Sequence, residues 1–108
     1  HVEAVKNLDA ILATEGLSGV MIGPNDLAGS MGHTGHPTHP DVAKAIDTVI
    51  AKSRAAKKFV GIGCGVEAAE LRNWANRGVQ WLLMGADFSL LRKATVDTVA
   101  AVRAGLNG

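Results

Sequence analysis

The sequence predicts a parallel α/β fold in which helices and strands alternate along one chain. Three observations carry this reading. Short, near-continuous apolar runs recur at residues 17–23, 59–63 and 79–84, as expected of strands covered on both faces rather than of half-exposed ones. Around them lie longer stretches whose apolar residues fall three and four apart, the period of one helix face. The resulting order is helix, strand, helix, strand, helix, strand, helix. Such alternation leads to right-handed crossovers and a parallel sheet. Three strands cannot close a barrel, and the periodicity alone fits either an open doubly wound sheet or part of a (β/α)8 barrel of about 250 residues.

The first helix spans residues 2–15, with Val5, Leu8, Ile11 and Leu12 on its inward face and Gly16 stopping it. The first strand, LSGVMIG, follows at 17–23. Residues 24–40, PNDLAGSMGHTGHPTHP, are dense in Gly and Pro and longer than an ordinary connector, so they read as a functional loop. Asp41 caps the second helix, whose inward face is Val42, Ile46, Val49 and Ile50 and which ends near Lys58. Its acids Asp41 and Asp47 lie early and its bases Lys52, Arg54, Lys57 and Lys58 lie late, as the helix dipole favours, so the basic cluster needs no nucleic acid to account for it. The second strand, FVGIG, is followed by a helix at 67–76 with Ala68, Leu71 and Trp74 or Ala75 inward and Gly78 closing it. After the third strand, VQWLLM, Asp87 or Ser89 caps the last helix, which carries Leu90, Leu91, Ala94, Val99 and Val102 and ends at Gly105 and Gly108.

Composition narrows the class. The 108 residues are 47% hydrophobic and 19% charged, which excludes a disordered or collagenous chain. No apolar run approaches the roughly 20 residues that a membrane helix needs. Eleven basic against ten acidic residues give a net charge of +1, with no footprint for nucleic acid or for an anionic membrane. The single Cys64 excludes an internal disulfide and suits a reducing compartment, so a cytoplasmic location is expected. Aromatic content is only 4%, with no Tyr, which makes a thin core for a free-standing domain. The opening His-Val-Glu-Ala lacks an initiator Met, so the chain is expected to be a piece of something longer.

In parallel α/β folds ligands bind beyond the carboxyl ends of the strands. Those positions are Gly23 to Asp26, Gly63 to Gly65, and Gly85 to Asp87. No Lys falls there, which argues against Schiff-base chemistry within this segment. Asp26 reads either as a hard oxygen ligand for Mg²⁺ or Mn²⁺ or as an Asx-turn or helix cap before Leu27. Asp87 reads as a cap, Cys64 as a small residue at the strand mouth, and Trp74 and Trp81 as core or interface. His33, His36 and His39 recur every third residue, but Pro37 and Pro40 break any helical phase, so loop hydrogen bonding or a subunit contact accounts for them as well as a metal does.

EAVKNLDAIL at 3–12, GLSGVMIGPNDLAGSMGHTGHPTHPDV at 16–42 and LLMGADFSLLRKA at 82–94 resemble the HpcH/HpaI aldolases, metal-dependent pyruvate aldolases that include 4-hydroxy-2-oxoheptanedioate and 2-keto-3-deoxy sugar-acid aldolases. GIGCG at 61–65 departs from the family's usual aliphatic pattern. The resemblance implies that residues 1–108 are the carboxyl-terminal part of a single (β/α)8 barrel, three parallel strands and four helices. It implies Asp26 as ligand to a divalent metal (Mg²⁺, Mn²⁺ or Co²⁺), with a Glu ligand and the catalytic Arg and His upstream of His1. It implies Pro24 and Asn25 as substrate-binding through backbone groups, and no catalytic residue in this segment. The implied reaction is class II aldol cleavage of 4-hydroxy-2-oxo acids to pyruvate and an aldehyde through a metal-stabilised pyruvate enolate. A hexamer or other homo-oligomer is implied, with the His33 loop near the subunit interface. Two other readings remain: a phosphate-binding barrel using backbone amides near Gly63, Gly65 and Gly85, and a receiver-like regulatory domain, for which the acidic pair and the Lys are missing.

Overall fold

The computed structural model describes residues 1–106; Gly108, expected at the end of the last helix, lies outside them. Three parallel strands, β1 (Gly19–Ile22), β2 (Phe59–Cys64) and β3 (Trp81–Met84), lie side by side in the order β1-β2-β3. Val20 pairs with Val60, and Ile62 with Leu82. Six helices accompany them among the described residues, not four: α1 (Val2–Lys6), α2 (Leu8–Leu12), α3 (Pro24–Ser30), α4 (Pro40–Ala55), α5 (Ala68–Asn76) and α6 (Asp87–Gly105).

The two additional helices have separate causes. The expected first helix is divided at Asn7, whose φ of −95° and ψ of 15° leave the helical basin. The inward face nonetheless survives, with Leu8 and Leu12 buried. The other is α3, inside the segment read as a loop. Pro24 stands at its first position, where a missing N–H costs nothing, and Leu27 and Ala28 are buried. It closes in a Schellman turn: Gly32, at φ +82°, donates its N–H to the Gly29 carbonyl at 3.2 Å, and His33 donates to Ala28 at 2.8 Å. The Gly and Pro density that suggested an irregular loop therefore marks the ends of a two-turn helix.

Helix α4 is capped by His39, not Asp41: the His39 Nδ1 accepts the Asp41 N–H at 3.2 Å while Pro40 occupies the first helical position. It ends at Ala55, earlier than expected, because Lys57 turns left-handed at φ +55° and the Lys58 N–H returns to the Ser53 carbonyl at 2.9 Å. Three basic residues in α4 and just after it are engaged within the chain. Lys52 pairs with Asp9 at 2.6 Å, Arg54 donates to the Gly78 carbonyl at 3.1 Å, and Lys58 donates to the Leu17 carbonyl at 2.7 Å.

The core lies between α4 and one face of the sheet. Val42, Ile46, Val49 and Ile50 of α4 are buried against Val60 and Ile62, with Leu8, Leu12, Ile22, Leu27 and Val79 completing the cluster. Leu71 and Trp74 of α5 are half-buried, whereas Ala68 and Ala75 are exposed. The opposite face of the sheet carries Met21, Phe59, Trp81 and Leu83, all exposed; Trp81, expected in a core or interface, is 60% accessible. A Cβ on Gly61 would meet both Met21 Sδ and Trp81 Cε3, which places these neighbours on that bare face. Helix α6 has no buried residue, so the expected inward face of Leu90, Leu91, Ala94, Val99 and Val102 has nothing packed on it among the described residues. Ala86, in extended backbone, occupies its cap position; Asp87 is its first residue and its carboxylate accepts the Phe88 N–H at 2.7 Å.

Candidate active site at the carboxyl edge

The loops after the three strands meet in one cleft of about 850 Å³, bounded by Pro24, Asn25 and Asp26 after β1, Gly65 and Val66 after β2, and Gly85 and Ala86 after β3. Parallel pairing brings them together, because all three strands point their carboxyl ends the same way. Pro37 and Thr38 of the loop before α4 close one side, and Glu70 and Trp74 of α5 another.

Asp26 is neither an Asx-turn nor a cap. The cap is Gly23, and Asp26 is the third residue of α3, exposed, with its negative charge favourably placed in the first turn. Among the described residues no basic side chain pairs with it. Its Oδ2 lies 2.7 Å from where a Cβ on residue 23 would stand, so the glycine leaves the space into which the carboxylate folds. A free carboxylate of this kind fits one position of an oxygen-preferring divalent cation, and one carboxylate is not a complete ligand set. Pro24 is half-buried and Asn25 exposed in the same turn.

Glu70 is the residue that sequence reading missed. Its Oε2 accepts the Gly65 N–H at 3.2 Å and its Oε1 accepts the Trp74 indole N–H at 3.3 Å, tying the loop after β2 to α5. In sequence it is one of two acids, with Glu67, in a polar helical stretch, and nothing in the spacing separates it from a solvated face. Trp74 is held from its other side by the Arg77 guanidinium, 4.2 Å from the ring centroid, which in turn pairs with Asp47 at 2.5 Å.

The cleft is poorly built for phosphate. Of the amides that such binding would recruit, the Gly65 N–H is held by the Glu70 carboxylate and the Gly85 N–H by the Cys64 carbonyl at 2.9 Å. Cys64 is half-buried, and burial, helped by the negative Glu70, pushes its thiol above the usual range; it is a poor nucleophile there. His36 stays apart from the other two histidines of its loop, and His33 and His39 stack on each other at 3.6 Å.

A parallel α/β chain with a free carboxylate at the carboxyl mouth of its first strand belongs to the class of α/β proteins that build their sites on strand-end loops. The HpcH/HpaI aldolase/citrate lyase family model matches residues 2–94, and the chain belongs to that family. It is 41% identical over 93 residues to the 5-keto-4-deoxy-D-glucarate aldolase of Citrobacter koseri, covering 86% of this chain and 36% of the relative. The chain thus spans about a third of the length of the curated relatives it matches. Among solved structures it resembles an HpcH/HpaI aldolase/citrate lyase family protein from Burkholderia cenocepacia, with a TM-score of 0.86 and 38% identity over 92% of this chain and 38% of the other. The HpcH/HpaI aldolase of Desulfitobacterium hafniense gives a TM-score of 0.84 at 31% identity, over 95% and 40% of the two chains. No described helix is long and apolar enough to cross a membrane.

Proposed function

We propose that the protein carrying this chain is a divalent-metal-dependent aldolase that reversibly cleaves 4-hydroxy-2-oxo acids of the sugar-acid type to pyruvate and an aldehyde. Residues 1–108 form the carboxyl-terminal part of its single (β/α)8 barrel. The observation that carries the reading is Asp26: a carboxylate without a basic partner, at the strand mouth, in a family whose relatives are named as sugar-acid aldolases. The one-sided sheet supports a barrel over a doubly wound sheet, since barrel helices cover only the outer face while the inner face awaits the other strands.

Asp26 is the ligand this chain offers to the metal. A bound divalent cation supplies Lewis-acid polarisation of the 2-oxo group. In the cleavage direction the bond between C3 and C4 breaks, the 4-hydroxyl loses its proton as the aldehyde forms, and C3 gains one to become the pyruvate methyl. This chain contributes placement. Asn25 presents a first-turn amide toward the substrate carboxylate, whereas Pro24 has no N–H and contributes a fixed backbone wall. Glu70 and Trp74 keep the opposite side of the cleft in shape. The second metal ligand, the catalytic Arg and the base belong to residues outside 1–108, and the protein works in the cytoplasm as a homo-oligomer with the His33 loop near a subunit boundary.

The test is pyruvate release from a 4-hydroxy-2-oxo acid by the protein carrying this chain, with and without EDTA. Activity should vanish on chelation and return with Mg²⁺, Mn²⁺ or Co²⁺. Asp26→Asn should abolish metal-dependent turnover with an unchanged circular dichroism spectrum; full activity in that variant would sink the assignment. The 108 residues alone should release no pyruvate.

A further inference from the structure

The segment between α3 and α4 brings together three groups that the cleft does not use. Gly32 and Gly35, at φ +82° and +79°, fold the chain back on itself, with the His36 N–H bonded to the His33 carbonyl at 2.9 Å and the His39 N–H to the His36 carbonyl at 3.0 Å. The turns lay the His33 ring on the His39 ring, 3.6 Å between centroids and 13° between planes. Asp41, one residue into α4, places Oδ2 3.6 Å from His33 Nε2 and 3.7 Å from His39 Nδ1. Among the described residues these three side chains are the group of His, Cys, Asp and Glu whose ligand atoms all lie within 4.8 Å of one another.

The hydrogen bonding makes this an electron-rich site. His39 Nδ1 accepts the Asp41 N–H, so that nitrogen carries no proton and donates nothing to the carboxylate beside it; its lone pair is engaged by the amide until an ion displaces that bond. No Lys or Arg pairs with Asp41 among the described residues. One carboxylate and two imidazole nitrogens therefore lie together with no Lys or Arg paired to them among the described residues. The separations of 3.6 and 3.7 Å from the carboxylate are close to the roughly 3.3–3.5 Å between ligand atoms of a tetrahedral ion with bonds of about 2.0–2.1 Å, and the two imidazoles' ligand atoms lie within 4.8 Å of each other.

We propose that His33, His39 and Asp41 bind a first-row divalent cation of the zinc type, with water in the fourth position. Two imidazoles and one carboxylate suit Zn²⁺, Co²⁺ or Ni²⁺, whereas Mg²⁺ prefers an all-oxygen octahedral shell, so this site and Asp26 select different ions. Stacked rings aim their in-plane lone pairs side by side, so binding turns the half-buried His33 ring out of the stack toward Asp41. The ion also takes the His39 lone pair from its long bond to the Asp41 amide, which stands in a solvent-exposed first turn. Pro37 and Thr38, which line the cleft, lie within the loop that His33 and His39 bracket. The metal thus fastens the cleft wall to the start of α4.

The test is titration of the protein carrying this chain, in an Asp26→Asn background that removes the cleft's ligand, with Zn²⁺ alone and with Co²⁺ as a visible probe. Co²⁺ should give the intense visible bands of tetrahedral coordination. His33→Phe keeps an aromatic ring, His39→Asn keeps a capping side chain, and Asp41→Asn keeps shape. Each should weaken Zn²⁺ binding at least about tenfold and remove the Co²⁺ bands. His36→Ala should leave both unchanged. Should His39→Asn lose helical circular dichroism, His33→Phe, which removes no cap, decides the matter. Zn²⁺ affinity weaker than about 1 mM in the parent chain, or equal losses in His36→Ala and His33→Phe, overturns the proposal.

Discussion

The carboxylate of Asp26 lies back over Gly23, its Oδ2 2.7 Å from the point a Cβ on residue 23 would occupy. The backbone of Gly23, at φ −101° and ψ 99°, is open to any residue, so what the glycine provides is space and not a special torsion. Gly23→Ala should therefore cost little stability, about 0.5–1 kcal/mol from a poorer helix cap. It should swing the carboxylate away and weaken Mn²⁺ binding in the protein carrying this chain roughly tenfold, the size of a lost supporting contact. Unchanged Mn²⁺ affinity by calorimetry would separate Gly23 from the site.

Ser53 is fully buried in α4, and its hydroxyl is the buried side-chain polar atom without a hydrogen-bond partner among the described residues. Burying an unpaired hydroxyl carries a desolvation cost with no return. Ser53→Ala should raise stability by about 1 kcal/mol, read as a higher urea midpoint at unchanged slope; a lower midpoint would mean the hydroxyl has a partner. Ile46→Ala on the same helix, which opens a cavity against Ile62, should lower it by about 2–5 kcal/mol.

Trp81 reports on the bare face of the sheet. In a Trp74→Phe background it is the remaining indole, and in the isolated chain acrylamide should quench it nearly as freely as a solvated tryptophan. In the protein carrying this chain the same residue should be strongly protected, because the inner face of a closed barrel excludes water. Equal quenching in both would remove the support that the one-sided sheet lends to a barrel.

Cys64 adds one pH-dependent contribution. Burial first, and the negative Glu70 second, raise its thiol above the usual range, so the folded chain holds this proton where the unfolded chain has begun to release it. The folded state binds more protons in that interval, so this contribution to stability is complete below the unfolded pKa and is lost as the pH climbs through the folded one. Alkylation by iodoacetamide near pH 9 should be slower in the native than in the urea-unfolded chain, and Glu70→Gln should speed the native reaction. Native alkylation as fast as unfolded would contradict the shielding.

Much of this protein was legible locally. Apolar runs at 17–23 and 79–84 contained β1 and β3, the run at 59–63 held all of β2 but its last residue, Cys64, and the three-and-four spacing of Val42, Ile46, Val49 and Ile50 marked the buried face of α4, because period and burial are recorded residue by residue. The family was legible too, in the string from Gly16 to Val42 that holds Gly-Pro-Asn-Asp-Leu. Helix α3 was hidden because Gly and Pro signal an element's ends as readily as its absence, and the α4 cap fell to His39 because only the observed path shows which side chain reaches the free amide.

What only the tertiary structure decided is which groups share a space. Asp26, Glu70 and Trp74 border one cleft although more than forty residues separate the first from the others, because parallel strands bring successive carboxyl ends together. Two left-handed glycines turn three evenly spaced histidines into a pair with Asp41 and an outlier, His36. Sequence periodicity specifies which way each residue faces along its own element; the distance between elements depends on turns and crossovers that carry no period, so the chemistry of neighbours appears only once the chain is folded.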